Sequence, residues 1–363
     1  MKIKTGKVSI IINIIVFLTA VIFSTGIYGA EENALSGTSS NKAYRVITDM
    51  AGRKVKIPVN ISKVLSTSPP PTTFIYMLAP EKLGGWTTAP SKDAGKILPK
   101  EYHNIPVFGW SRRATNYESY IAAKPDFVFI GIEAAFDTSH AEIVQEKFGS
   151  IPVVCIENSR NALGYANTIT FMGDVLGVPD RAKALNDYYL GVLREVQDKV
   201  ADIPEEKQAR IYYAEGNNGL STDPSGSPHS QLIDICRGSN VATGINSTVS
   251  GMTEVTMESV LMWKPDVIIT TSSNFMNLVY EDESWKMIPA VKNRKVYLTP
   301  KQPFNWFDRP PGVNRIVGIP WTAHILYPEI FPEDWFRKKA KQFYSIFYHS
   351  DLTDEELTSL LTD

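Results

Sequence analysis

The chain has 363 residues, with 37 Lys and Arg against 39 Asp and Glu for a formal charge of −2, and it is 43% hydrophobic and 21% charged. This is the profile of a soluble globular protein, and it excludes a disordered, collagen-like or disulfide-stapled chain. It also argues against a nucleic-acid partner: without residues 1–30, which hold Lys2, Lys4 and Lys7 but no acid, 34 basic residues face 39 acidic ones, so polyanions are not drawn by net charge.

Residues 1–30 pair three lysines with an apolar run from Val8 to Phe23 and then small residues, the pattern of an export signal, with an uncleaved membrane anchor as the alternative. No cysteine precedes Cys155, which argues against a lipoprotein, and export to a periplasm is the simplest expectation. Residues 31–43 are rich in Ser, Asn, Gly and Ala and read as a flexible leader.

From Tyr44 the pattern becomes that of a folded domain. Tyr44 to Thr48 and Lys54 to Ile57 alternate across the turn residues Asp49 to Gly52, predicting a hairpin. Val64 to Ser66 predicts a strand, Thr72 to Leu78 a short helix, Leu83 to Trp86 and Pro106 to Phe108 strands, and Tyr117 to Ala123 a helix feeding a strand at Phe127 to Ile130. A helix over His140 to Phe148 and a strand over Pro152 to Ile156 complete the first half. Residues 161–200 carry no strand signal, and their apolar positions fall at helical spacing, predicting one long helix or two interrupted at Gly177 to Pro179. Alternation resumes with strands at Ile211 to Ala214, Val267 to Thr270 and Val296 to Leu298. Helices are expected at Gln231 to Arg237, Met257 to Met262, Asn314 to Leu326 and Trp335 to Tyr348.

Alternating strands and helices predict an α/β chain of two Rossmann-like lobes with mainly parallel sheets, joined by one long bridging helix. The expected boundaries are 44–160 for the N-terminal lobe, 161–200 for the bridge and 201–363 for the C-terminal lobe with its terminal helices. An internal repeat supports the division. Residues 116–130, with Glu118-Ser119 and Lys124-Pro125-Asp126, overlay residues 256–270, with Glu258-Ser259 and Lys264-Pro265-Asp266, without a gap. Each copy reads as a helix halted by Lys-Pro, since the residue before proline avoids the α region, and then a buried strand.

Several chemistries are argued against. Cys155 and Cys236 lie in separate apolar segments and read as free buried thiols. The five histidines form no i, i+4 pair and no Cys/His cluster, so no resident metal site or other cofactor is expected. Neither GxxxxGK[ST] nor GxSxG is present.

The chain resembles the substrate-binding proteins of ABC importers for iron-siderophore complexes, haem and vitamin B12. The resemblance rests on Thr48 to Arg53 with Ile57-Pro58, the two Glu and Pro-Asp motifs, the bridging region and Ala290 to Tyr297. It implies a non-enzymatic, monomeric receptor that delivers a metal chelate to an ABC permease and ATPase. The metal then arrives within its chelate. Glu118 and Glu258 match the family positions that dock on permease arginines.

The ligand is expected between the lobes. Trp306 and Arg309, in an aromatic loop similar to that of vitamin B12 binders, are the first candidates, with an aromatic core plug as the alternative. Trp110, Arg112 and Arg113 suit an anionic chelate, because guanidinium forks and stacks. The resemblance implies that the loop after Tyr213, which carries His229, borders the same cleft, with a helix-capping or exposed histidine as the alternative for His229. A ferric siderophore is the expected ligand, with cobalamin, haem or a nickel chelate as alternatives and an exported chelatase-like enzyme as the rival from another class.

Overall fold

The computed structural model describes residues 43–91, 94, 97–110, 115–132, 138–157, 161–246, 251–309 and 312–362. The export signal and the leader as far as residue 42 therefore lie outside the described residues. The first lobe opens with an antiparallel hairpin of β1 (Tyr44–Thr48) and β2 (Lys54–Pro58). There follow β3 (Val64–Ser66), α1 (Pro69–Leu78), α2 (Tyr117–Ala122), β4 (Phe127–Ile132), α3 (Thr138–Phe148) and β5 (Val153–Glu157). Strands β3, β4 and β5 form a parallel sheet in that order.

The bridge is two helices, α4 (Tyr165–Leu176) and α5 (Pro179–Val200). Gly177 separates them in the left-handed conformation (φ +76°), a C-cap that glycine adopts without the Cβ clash other residues suffer. The second lobe comprises β6 (Arg210–Ala214), β7 (Ser221–Thr222), α6 (Gln231–Ile235), β8 (Ser239–Asn240), β9 (Thr253–Glu254), α7 (Met257–Trp263), β10 (Val267–Thr270), α8 (Ser273–Leu278), α9 (Pro289–Lys292) and β11 (Val296–Leu298). Its sheet is parallel in the order β11-β10-β6-β8. The chain ends in α10 (Arg315–Leu326), α11 (Glu333–Tyr348) and α12 (Asp354–Thr362).

Two expected strands are reduced to single bridges. Leu83 pairs only with Val64, and Trp86 only with Val107, because Gly84 and Gly85 supply no side chains to hold a strand there. The prolines at 69–71 start α1 rather than merely ending β3, as suits residues whose missing N–H would be unsatisfied in a first turn anyway.

The hairpin motif is structural. Asp49 is buried, and its carboxylate accepts the amides of Ala51, Arg53 and Cys155 together with the Arg53 guanidinium. Arg53 also donates to the Val153 carbonyl, so the turn is fastened to β5. Cys155 and Cys236 are both free and buried, and burial pushes the Cys155 thiol up to about 12.

The sequence repeat recurs in atomic detail. Asn116 caps α2 by accepting the Ser119 amide at 3.3 Å, and Thr256 caps α7 by accepting the Ser259 amide at 3.3 Å. Both helices stop at a left-handed lysine, Lys124 (φ 49°) and Lys264 (φ 45°). The next amides match too: Asp126 donates to the Lys63 carbonyl and Asp266 to the Arg210 carbonyl, both at 2.8 Å. The side chains of Lys63 and Arg210 in turn donate to Ala123 and Trp263, placing a cation at the negative end of each helix.

One hydrophobic cluster runs through both lobes, from Phe74, Trp86 and Phe129 through Tyr165, Met172, Leu185 and Tyr189 to Tyr213, Trp306, Ile316 and Tyr344. Lys42–Asp363 accordingly form one compact unit. Arg181 of α5 adds a polar clasp, donating to the carbonyls of Met77 and Ile346 and meeting His349 Nδ1 at 2.8 Å. Guanidinium only donates, so the imidazole accepts and must be neutral.

Burial and the Arg181 charge hold the His349 pKa below its ordinary value. The unfolded imidazole protonates near pH 6.5, about where free histidine titrates, and the folded one only at lower pH. The stability carried by this contact is therefore complete above that value and is lost as pH falls through it. Urea midpoints measured between about pH 7.5 and about pH 5 should fall further in the wild type than in His349→Gln, whose amide oxygen accepts at any pH. Equal falls would show that His349 is not linked to folding.

Candidate functional site

In parallel sheets, ligands bind beyond the carboxyl ends of the strands. At that edge of the second lobe, β6 leads directly into Glu215 and β11 leads into the loop Thr299 to Gly312. Asn305 shapes this loop by accepting the amides of Phe307 and Asp308 on its side-chain oxygen, while Asn314 donates to the Phe304 carbonyl. The loop thereby carries Asp308 inward and presents Arg309 in the left-handed conformation (φ 60°).

Around Arg309 the chain assembles a buried ionic cluster. Its Nε lies 2.7 Å from Glu215 Oε1 and its Nη2 lies 3.0 Å from Asp223 Oδ2, with Asp308 Oδ2 at 3.3 Å from Nε. Asp223 also accepts from the Ser227 hydroxyl at 2.9 Å and from the Met252 amide at 3.2 Å. Asp308 accepts from the Tyr213 hydroxyl at 3.2 Å and from His229 Nδ1 at 2.9 Å. Three carboxylates thus crowd one guanidinium and one imidazole. Burial, reinforced by the neighbouring Asp223, pushes Glu215 up to about 9, so the cluster keeps a proton at neutral pH.

Two atoms of this cluster stand out. His229 is 3% exposed, and with Nδ1 committed to Asp308 its Nε2 has no hydrogen-bond partner among the described residues; Glu215 Oε2 is buried in the same condition. Buried polar atoms left unpaired cost about 1–3 kcal/mol each. A histidine fixed through one nitrogen by a carboxylate, with the other nitrogen bare, is a lone-pair donor held in one tautomer.

The other expected contacts fall in different places. Trp306 is 0% exposed: its Nε1 donates to the Tyr344 hydroxyl at 3.0 Å, and its ring packs on Phe336 and Tyr344. Helix α10 closes over it, and a Cβ at Gly318 would stand 2.0 Å from the Trp306 carbonyl oxygen, so only glycine permits this approach. The Trp306 indole thus lies within the core, the placement given above as the alternative to ligand contact. Tyr213 is likewise buried against Phe307 with its hydroxyl on Asp308. It supports the cluster from behind.

On the first lobe, Trp110 is 46% exposed, while Arg112 and Arg113 lie outside the described residues. Glu118 and Glu258 are both exposed, in the first turns of α2 and α7. The Glu258 backbone amide and the Thr256 hydroxyl hold its carboxyl below the usual range. Asp308 and Asp223 were absent from the candidates. Asp308 was signalled only by its place beside Arg309, and Asp223 by no pattern at all.

A prediction separates the two tryptophans. Trp306→Ala should cost about 3–5 kcal/mol of stability, as large-to-small core changes do, whereas Trp110→Ala should leave the denaturant midpoint nearly unchanged. Comparable losses in the two variants would contradict the core assignment.

Comparison with known proteins bears on what this arrangement is for. Residues 64–303 match the model of a family described as periplasmic binding protein. An ABC transporter solute binding protein from Sulfurospirillum deleyianum superimposes with a TM-score of 0.80 at 30% identity, covering 88% of this chain and 99% of that one. The molybdate-binding protein MolA of Haemophilus influenzae is 26% identical over 335 residues, 85% of this chain and 92% of its own. An uncharacterized ABC transporter substrate-binding lipoprotein, YvrC of Bacillus subtilis, is 24% identical over 295 residues, 79% of this chain and 87% of its own. The chain belongs to the periplasmic binding protein family and is a solute-binding protein of an ABC importer, not an enzyme.

Proposed function

We propose that the protein is exported to the periplasm, captures an anionic metal chelate of the ferric-siderophore type between its lobes, and delivers it to the permease through Glu118 and Glu258. The observation that carries this reading is His229: a buried imidazole, held at Nδ1 by Asp308, whose Nε2 has no hydrogen-bond partner among the described residues at the carboxyl edge of the second sheet. Such a nitrogen suits one open coordination position of a metal. Among the described residues no group of three or more His, Cys, Asp and Glu could hold a metal ion. On this reading a metal meeting His229 brings the rest of its coordination shell with it.

Charge points the same way. Arg309 is already matched by Glu215, Asp223 and Asp308, so it adds little attraction for an anion. The positive charge that draws an anionic chelate is assigned to Arg112 and Arg113 on the opposite lobe. Cobalamin loses its main support, because the Trp306 indole lies within the core. Molybdate is the second reading, favoured by the similarity to MolA. Among the described residues no helix is long and apolar enough to cross a membrane, and export is assigned to residues 1–30.

Titration of intrinsic fluorescence with ferric catecholates, ferric hydroxamates, cobalamin, haem, nickel-histidine and molybdate tests the ligand. Saturable quenching by one ferric chelate, weakened by His229→Ala and by Arg112→Ala with Arg113→Ala, is expected. Binding of molybdate alone would establish the second reading, and binding of cobalamin alone would overturn both.

Docking has its own test. The pair Glu118→Gln and Glu258→Gln should leave ligand affinity unchanged while slowing uptake by the reconstituted importer at least about tenfold, the loss expected when charge pairs at an interface are removed. Unimpaired uptake would remove the docking assignment.

A further inference from the structure

We infer that Arg315, which lies outside the ionic cluster, is a positioning residue that sets the ligand-facing loops of the second lobe against the start of the bridge. It is 1% exposed and sits in the first turn of the largely apolar α10. Burying a guanidinium is costly unless its hydrogen bonds are well made, and among the described residues two of its bonds reach separate segments. Nε donates to the Tyr165 hydroxyl at 2.9 Å, at the start of α4, and Nη1 donates to the Pro228 carbonyl at 2.6 Å, the residue before His229.

Tyr165 completes the arrangement. Its hydroxyl donates to the Gly312 carbonyl at 2.8 Å, three residues after Arg309. One guanidinium and one phenol thus join the loop bearing His229, the loop bearing Asp308 and Arg309, and the first helix of the bridge. A parallel contact runs beside them: Gln231, two residues after His229, accepts the Ala162 amide at 2.7 Å and donates to Asn161 Oδ1 at 2.8 Å. The Tyr189 hydroxyl of α5 holds the Ala162 carbonyl from the other side. His229 is consequently fixed from both ends, through Pro228 before it and Gln231 after it.

The geometry requires arginine. The two donors point in different directions from one planar group, whereas a lysine ammonium is a point charge on a flexible stem and cannot hold both acceptors in the same way. Small displacements of a binding group are expensive, since a site works only when its members are held within about 0.5 Å of the productive arrangement. Arg315 therefore acts on the ligand through Pro228 and His229 without touching it.

This inference rests on the assignment of His229 to the ligand, and its test is chosen so that the two can fail separately. Arg315→Lys removes the fork while keeping the charge, Tyr165→Phe removes one hydroxyl, and Ile319→Val perturbs the same helix without touching the loops. In 15N-labelled protein the two His229 ring nitrogens should give distinct signals in the wild type and in Ile319→Val, one protonated at Nδ1 and one bare at Nε2. In Arg315→Lys and Tyr165→Phe those signals should shift toward each other as the Asp308 contact loosens.

Against whichever member of the ligand panel the wild type binds, the same two variants should bind about tenfold more weakly, as displaced binding groups do, and Ile319→Val should not. Unchanged His229 signals in Arg315→Lys and Tyr165→Phe would overturn the positioning role. If the wild type binds nothing in the panel, the ligand assignment falls and the His229 signals alone decide the role of Arg315.

Discussion

One apolar core shared by both sheets is the constraint on which the rest of the molecule depends. Phe74 and Trp86 of the first lobe reach Trp306 and Tyr344 of the second through Tyr165 and Tyr189 of the bridge, and Trp86 lies 5.9 Å from Phe304 between ring centroids. Opening the lobes widely would expose this surface at about 25 cal/mol per Å². Such a shared core disfavours a wide swing of the lobes about a flexible linker. Packing therefore sets the spacing of the two sheets, and Arg315, Tyr165 and Gln231 add directional bonds between the bridge and the second-lobe loops.

The ionic cluster of the second lobe carries little net charge. Three buried carboxylates surround Arg309, Glu215 retains a proton, and His229 is held by Asp308. Burial and the neighbouring Asp223 favour the protonated form of Glu215, which eases the crowding of carboxylates around Arg309. On the proposed reading, Coulomb attraction falls to Arg112 and Arg113 of the first lobe, and the second lobe contributes the placed lone pair of His229. Such a division gives selectivity by geometry on one side and capture by charge on the other.

Much of this fold was legible in the sequence, and the reasons are local. Val267 to Thr270 is a continuous β-branched run bounded by Lys-Pro-Asp, and β10 occupies those same residues. The Gly177 interruption divided the bridge where the left-handed cap now lies. The repeat was readable because each copy needs the same cap, the same stop and the same buried strand. What escaped depends on contacts distant in the chain. Trp306 sits in a loop whose composition suits a ligand surface, and only the packing of α10 and α11 over it buries the ring. Asp223 gains its role from Arg309, 86 residues away. Arg315 left one trace, a lone arginine in the apolar run from Val313 to Leu326, but nothing local shows that its fork reaches Tyr165 and Pro228.

The most direct test of the central claim is the position of the metal in crystals of the ligand-loaded protein, located by anomalous scattering at the metal absorption edge. The account predicts one peak within about 2.0–2.2 Å of His229 Nε2, the ordinary metal–imidazole distance, with Asp308 still on Nδ1. A peak remote from His229, with the imidazole making no contact to the bound chelate, would contradict it.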